Sequence, residues 1–113
     1  MARYDPALLQ AGQALVANDL PAAESILRPY LKRRPTDVKA IRMMAELAAR
    51  VGRLADAETL LRRAVELSPG FTAARSNLAT VLYKQNRPLD AIAELDHIGG
   101  DNALAEVSNA PLK

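Results

Sequence analysis

The chain has no cysteine, no tryptophan and one histidine, His97. Without cysteine there can be no disulfide and no thiolate metal site, although this says nothing about compartment. With a single histidine, a transition-metal site would have to rest on carboxylates alone. Aromatic residues make up only 4% of the chain. Phosphate-cradling motifs of the G-x-x-x-x-G-K or G-x-G-x-x-G kind are missing, as is a serine in an elbow motif. No apolar run approaches the roughly 20 residues that span a bilayer. The opening "MARYDPALLQ" has no basic-then-apolar leader pattern. These absences lead us to expect a soluble, cytoplasmic protein with no cofactor, no metal, no membrane segment and no enzymatic activity.

The apolar half of the composition consists mostly of alanine and leucine. Such a mixture is rich in strong helix formers and poor in β-branched residues, which indicates an all-α fold. At 113 residues the chain is long enough for one small domain with its own core. The net charge of +2 is far below the basic excess usual for nucleic-acid binding. Its distribution is uneven: Arg28 to Arg63 holds ten Lys/Arg against four Asp/Glu, whereas Pro88 to Lys113 holds one against five.

A period of 34 residues organises the chain. "NDLPAAESILRPYLKRRP" begins at Asn18, "GRLADAETLLRRAVELSP" at Gly52 and "NRPLDAIAELDHIGGDNA" at Asn86. With units starting at Tyr4, Val38 and Thr72, alanine recurs at position eight (Ala11, Ala45, Ala79) and position twenty (Ala23, Ala57, Ala91). Leucine recurs at twenty-four (Leu27, Leu61, Leu95), and Pro35 and Pro69 stand at thirty-two. Each unit reads as two antiparallel helices. The alanines let the pair approach closely, and the leucine fills the space before the next pair. Asn18, Gly52 and Asn86 suit the left-handed conformation that ends a first helix. Asp19 with Pro21 forms a start signal for a second helix, and the prolines stop it.

These residues resemble the tetratricopeptide repeat, a helix pair of the same length. Unit two carries the pattern through Met44-Ala45, Gly52, Ala57, Leu61, Ala64 and Pro69, and unit three through Asn77-Leu78-Ala79, Leu82, Ala91 and Leu95. Unit one departs from it at Gln10 and at Pro29, where we expect a kinked helix or one that begins later. The resemblance implies an α-solenoid of three helix-turn-helix repeats, residues 4–37, 38–71 and 72–105. Beyond the Gly99-Gly100 break, residues 101–113 are expected to form a short capping helix presenting Leu104 and Val107, a frayed tail, or the start of a fourth repeat. More narrowly, Met44 to Pro88 resembles the repeat region that precedes the sulfotransferase domain of certain bacterial proteins. No sulfate-donor phosphate loop occurs in these 113 residues, so that likeness implies a regulatory repeat fragment or a stand-alone relative.

In this family the first helix of each unit lines a concave face. The resemblance places Asp5, Leu8, Gly12, Leu15 and Val16, then Lys39, Arg42, Glu46, Ala49 and Arg50, then Ala73, Ser76, Thr80, Tyr83 and Lys84 along it. It implies a protein-binding module that takes a peptide or partner helix with acidic and apolar side chains. Arginine offers bidentate bonds to carboxylates, and tyrosine a flat apolar body with a polar tip. Glu46 can pair with Arg42 or with Arg50 at helical spacing. Leu8 and Gly12 occupy the places where the carboxylate-clamp variety has Lys and Asn, which disfavours capture of chaperone tails. Self-association through apolar end helices, as a homodimer, is a second expectation. Nucleic-acid binding through Arg28, Lys32, Arg33 and Arg34 is disfavoured, because no aromatics interleave them. His97 is expected to be an exposed residue at a helix end.

Overall fold

The computed structural model describes residues 5–98, and the expected tail at 101–113, with Leu104 and Val107, lies outside them. Six helices follow in order: α1 (Pro6–Val16), α2 (Leu20–Arg33), α3 (Val38–Arg50), α4 (Leu54–Leu67), α5 (Thr72–Lys84) and α6 (Pro88–Ile98). They pack as three pairs, and each second helix also packs on the first helix of the next pair. First helices meet across the stack as well, α1 with α3 and α3 with α5.

The turn inside each pair is the same structure made three times. Asn18, Gly52 and Asn86 have φ of 59°, 87° and 64°. After each, the next N–H reaches back five residues, Asp19 to Ala14, Arg53 to Ala48 and Arg87 to Leu82, at 2.8–2.9 Å. The left-handed residue itself bonds three back, to Leu15, Ala49 and Tyr83. Together these bonds satisfy carbonyls that a helix end leaves free, as in a Schellman motif.

Helix starts are less uniform. Asp19 caps α2 as its sequence suggests, accepting from the Ala22 N–H at 3.2 Å. Two other aspartates do the same work: Asp5 accepts from Ala7 at 2.8 Å, and Asp37 from Lys39 at 3.1 Å and Ala40 at 3.3 Å. Helices α4 and α5 begin without a side-chain cap. Pro29 does not delay α2, which starts at Leu20 and runs through it. The carbonyl deprived of a donor belongs to Ser25. Both residues are exposed, so solvent can serve the group.

The three alanine pairs are all buried: Ala11 and Ala23, Ala45 and Ala57, Ala79 and Ala91. Leu27 and Leu61 are sealed between successive pairs, whereas Leu95, on the last described helix, is 47% exposed. Ala45, Ala57, Leu61, Leu78, Ala79 and Leu82 belong to one continuous cluster that joins the second and third pairs. Ala57 is 0% exposed inside that cluster, so a larger side chain there must push its neighbours apart. Ala57→Leu should therefore cost about 1–3 kcal/mol through overpacking. The exposed Ala55→Leu on the same helix should stay within about 0.5 kcal/mol of the parent in urea denaturation.

Candidate functional site

Helices α1, α3 and α5 lie side by side and present the face on which the expected groove residues stand. The structure sorts those residues into three kinds. Some are turned partly or wholly away from solvent. Leu15 is only 5% exposed and packs with Ala23 and Leu47, so the expectation that it lines an open groove is corrected: α1 turns it into the core. Asp5 is turned to its own helix as a cap. Leu8 is half-buried against the cluster of Ala11, Leu27, Tyr30 and Ala40. The gap at Gly12 is met by the end of Met43, which would stand 3.6 Å from an added Cβ.

Others are held between repeats. Arg42 donates from Nε to Asn77 Oδ1 of α5 at 2.7 Å. Arg50 donates from Nη1 to the Leu15 carbonyl at the end of α1 at 2.6 Å. Its Nη2 pairs with Glu46, so of the two pairings open to Glu46 the structure makes the one with Arg50. A guanidinium at the last turn of α1 also meets the negative end of that helix. These two arginines therefore sew first helices together, a role that sequence spacing within one helix does not reveal.

The remainder is open. Lys39, Ser76, Thr80, Tyr83 and Lys84 are exposed, and Tyr83 is 69% so. On α5 the last four stand at i, i+4, i+7 and i+8, which is one helical face. The Thr80 hydroxyl is turned to the Ser76 carbonyl at 3.1 Å. Neither Lys39 nor Lys84 has an ion-pair partner among the described residues. The face is thus a tyrosine with two free ammonium groups beside a neutralised arginine–glutamate pair. His97 sits exposed in the last turn of α6. Among the described residues no group of three His, Asp or Glu converges as a metal site would require.

Two polar clusters, each partly shielded from solvent, lie away from this face. The Tyr30 hydroxyl donates to Asp37 Oδ2, tying the end of α2 to the start of α3, and Arg33 stacks over its ring at 5.6 Å. Burial first, and then the Asp37 carboxylate, push the Tyr30 phenol up to about 12. The second cluster joins α4 to α6. Glu58 accepts from Arg62 at 2.9 Å and from Arg87 at 2.9 Å, and Glu94 faces Arg75 at 3.5 Å and Arg62 at 3.7 Å. Burial would raise the Glu58 carboxyl, but the bonds from Arg62 and Arg87 outweigh it and hold the group below its ordinary value.

Both shifts translate into pH-dependent stability. The raised Tyr30 value means that the folded state keeps its proton longer. The stabilisation is complete below pH 10 and is lost as pH rises towards about 12. Tyr30→Phe should remove that alkaline loss and cost about 1–2 kcal/mol at neutral pH, seen in denaturation midpoints between pH 7 and 11. For Glu58 the sign is opposite. Its contribution is present above the ordinary glutamate value of 4.5 and is lost as pH falls below it. Glu58→Gln should flatten the acid side of the stability profile and leave the alkaline side unchanged.

One tetratricopeptide repeat family model matches residues 8–70 and a second matches residues 48–110. Comparison with curated proteins gave no match. Among solved structures, an O-GlcNAc transferase mutant from Thermobaculum terrenum aligns at 30% identity and a TM-score of 0.78 over 86% of this chain. The alignment spans only 20% of that enzyme. The TPR2B domain of yeast Sti1, in a complex with pHsp70, aligns at 22% identity and a TM-score of 0.80, over 94% of this chain and 85% of that one. The latter likeness is one of fold. With each family match covering more than half of the sequence, the chain belongs to the tetratricopeptide repeat family.

Proposed function

We propose that the protein is a non-catalytic interaction module that seats a peptide or helix of a partner on the face formed by α1, α3 and α5. Repeats of this family generally mediate protein–protein contacts, and the open row on α5 is the observation that supports such a role here. An exposed tyrosine next to a lysine with no ion-pair partner among the described residues offers an apolar body and a charge together, and aromatic residues of this kind dominate binding energies when covered. The partner segment would carry an apolar side chain for Tyr83 and carboxylates for Lys39 and Lys84. Arg42 and Arg50 hold the seat in shape. A place beside a catalytic domain, as the resemblance of Met44 to Pro88 to repeats preceding bacterial sulfotransferase domains implies, is part of the same proposal, in which repeats bind and other domains do chemistry. The expected cytoplasmic setting is part of the same proposal, and no described helix is long and apolar enough to cross a membrane.

The test separates binding from framework. Tyr83→Ala with Lys84→Ala should leave the thermal transition within a few degrees and weaken captured partners by tenfold or more. Arg42→Ala with Arg50→Ala should instead lower the transition itself, because each arginine bonds a neighbouring repeat. Partners that bind the Tyr83/Lys84 variant as tightly as the parent would overturn the assignment.

A second reading has its own observation. Leu89, Ile92 and Leu95 on α6 are 80%, 53% and 47% exposed and fall on one side of the helix. Such a stripe supports self-association through the end of the stack. Light scattering over a hundredfold concentration range should show the mass rising, and Ile92→Glu should abolish the rise.

A further inference from the structure

The repeat provides an internal comparison. Two grooves of the same construction run along the outer side of the stack, one between α2 and α4 over α3, the other between α4 and α6 over α5. The second is closed. Arg87, the residue before α6, reaches Glu58 of α4, Arg62 of α4 reaches Glu94 of α6, and Arg75 braces Glu94 from α5. Arg87 also bonds Gln85 Oε1 at 2.9 Å. Beneath this clasp Leu78, Val81 and Leu82 are buried.

Stepping back 34 residues gives the first groove, and the clasp is not made there. Glu24 and Arg28 replace Glu58 and Arg62, and Arg53 and Asp56 replace Arg87 and Asp90. Each pair is local, Arg28 with Glu24 inside α2 and Arg53 with Asp56 at the start of α4, and neither crosses the groove. The residues that would complete the bridge are apolar: Leu60 stands for Glu94, Ile41 for Arg75 and Val51 for Gln85. On the floor Ala48 stands for Leu82, which deepens the groove. The result is an open trough of about 890 Å³ whose apolar lining includes Leu20, Leu31, Met44, Leu47, Val51 and Leu60. Val51 is 52% exposed. Lys32 lines one end and has no ion-pair partner among the described residues. On α3 these floor positions point away from Arg42, Glu46 and Arg50, roughly half a helical turn around, so the trough is separate from the seat proposed above.

We propose that this trough receives α6 of a second copy of the chain, a contact that rests on the self-association reading and gives it a receptor. Both walls are helices whose backbone groups are already bonded, so an extended segment would find no partners for its own N–H and C=O groups, whereas a helix brings its own. Helix α6 has the matching features. Its exposed Leu89, Ile92 and Leu95 offer apolar side chains one turn apart. Asp96 lies on the same side near its C-terminal end and has no ion-pair partner among the described residues. At 11 residues it spans about 16 Å, within the roughly 21 Å of the 14-residue walls. Setting Asp96 against Lys32 aligns α6 parallel to α2 and puts Leu89 towards Leu20 and Val51. Each copy then offers both a helix and a trough, so the contact is heterologous.

Sedimentation of the full chain and two variants tests this. Val51→Lys spoils the trough at a surface position, and Ile92→Glu spoils the helix. Each alone should stay monomeric across a hundredfold concentration range in which the parent assembles. An equimolar mixture of the two should recover a one-to-one complex, because the trough of one and the α6 of the other are intact. Leu60→Glu, which supplies the missing acid of the clasp, should act as Val51→Lys does. If Val51→Lys and Leu60→Glu both assemble like the parent while Ile92→Glu does not, self-association stands and the trough is not its receptor. A mixture that remains monomeric overturns the pairing of α6 with the trough. A parent chain that never assembles removes both readings.

Discussion

Helices that carry only a methyl group at their contact can lie closer than any larger side chain permits, and this fold is built on that contact repeated. Ala45 with Ala57 and Ala79 with Ala91 stand at the same places in their helix pairs and share one buried cluster; Ala11 and Ala23, at the corresponding places of the first pair, are buried too, Ala11 against Leu27 and Tyr30 and Ala23 against Leu15 and Leu47. Close approach inside each pair leaves the bulky leucines free to fill the space between pairs, where Leu27 and Leu61 lie. Dispersion and burial over that interface supply the stability, since a helix of 11 to 14 residues is marginal in water on its own. The left-handed turns at Asn18, Gly52 and Asn86 matter because they return the chain at the angle the alanine contact requires.

Packing alone leaves the rotation between successive pairs weakly defined, and long side chains settle it differently on the two faces. On the face of first helices, Arg50 reaches the end of α1 and Arg42 reaches Asn77 of α5. On the outer side, Arg87, Glu58, Arg62, Glu94 and Arg75 link α4 to α6. Glu58 is largely covered, and the guanidinium groups of Arg62 and Arg87 that bond it more than offset the cost of that burial to its charged form. Exposed pairs such as Arg28 with Glu24 add little by comparison. The same residue types thus act as framework where they cross repeats and as a solvated surface where they do not.

This division shapes what the surface can do. Arginines that bond a neighbouring repeat are held in one orientation by it, and the residues they leave uncovered are Tyr83, Lys84 and Lys39 on one side and the apolar trough between α2 and α4 on the other. One 34-residue frame gives a bridged groove and an open one through a few replacements, Leu60 for Glu94 foremost. A repeat protein can in this way change its contact surfaces without disturbing the alanine contacts that hold it up.

The sequence by itself determined the all-α class, the period, the turn residues, the buried alanines and leucines and the proline stops, because each of these is local or recurs at a fixed interval and so depends on backbone conformation or helical phase. It also showed Asp19 as a cap through the Pro21 that follows it, whereas the capping by Asp5 and Asp37 was seen only in the structure. Only the tertiary structure decided that Leu15 is core, that Pro29 is carried inside α2, that Glu46 pairs with Arg50, and that Arg42 and Arg50 bind across repeats. The physical reason is reach: arginine and glutamate side chains have several acceptors and donors within range at 28 to 35 residues' separation, and the stacking angle selects among them. The contrast between the two grooves was written in the aligned units, as Leu60 against Glu94 and Val51 against Gln85. What those replacements mean depends on the far wall of each groove, and that wall is placed by the fold.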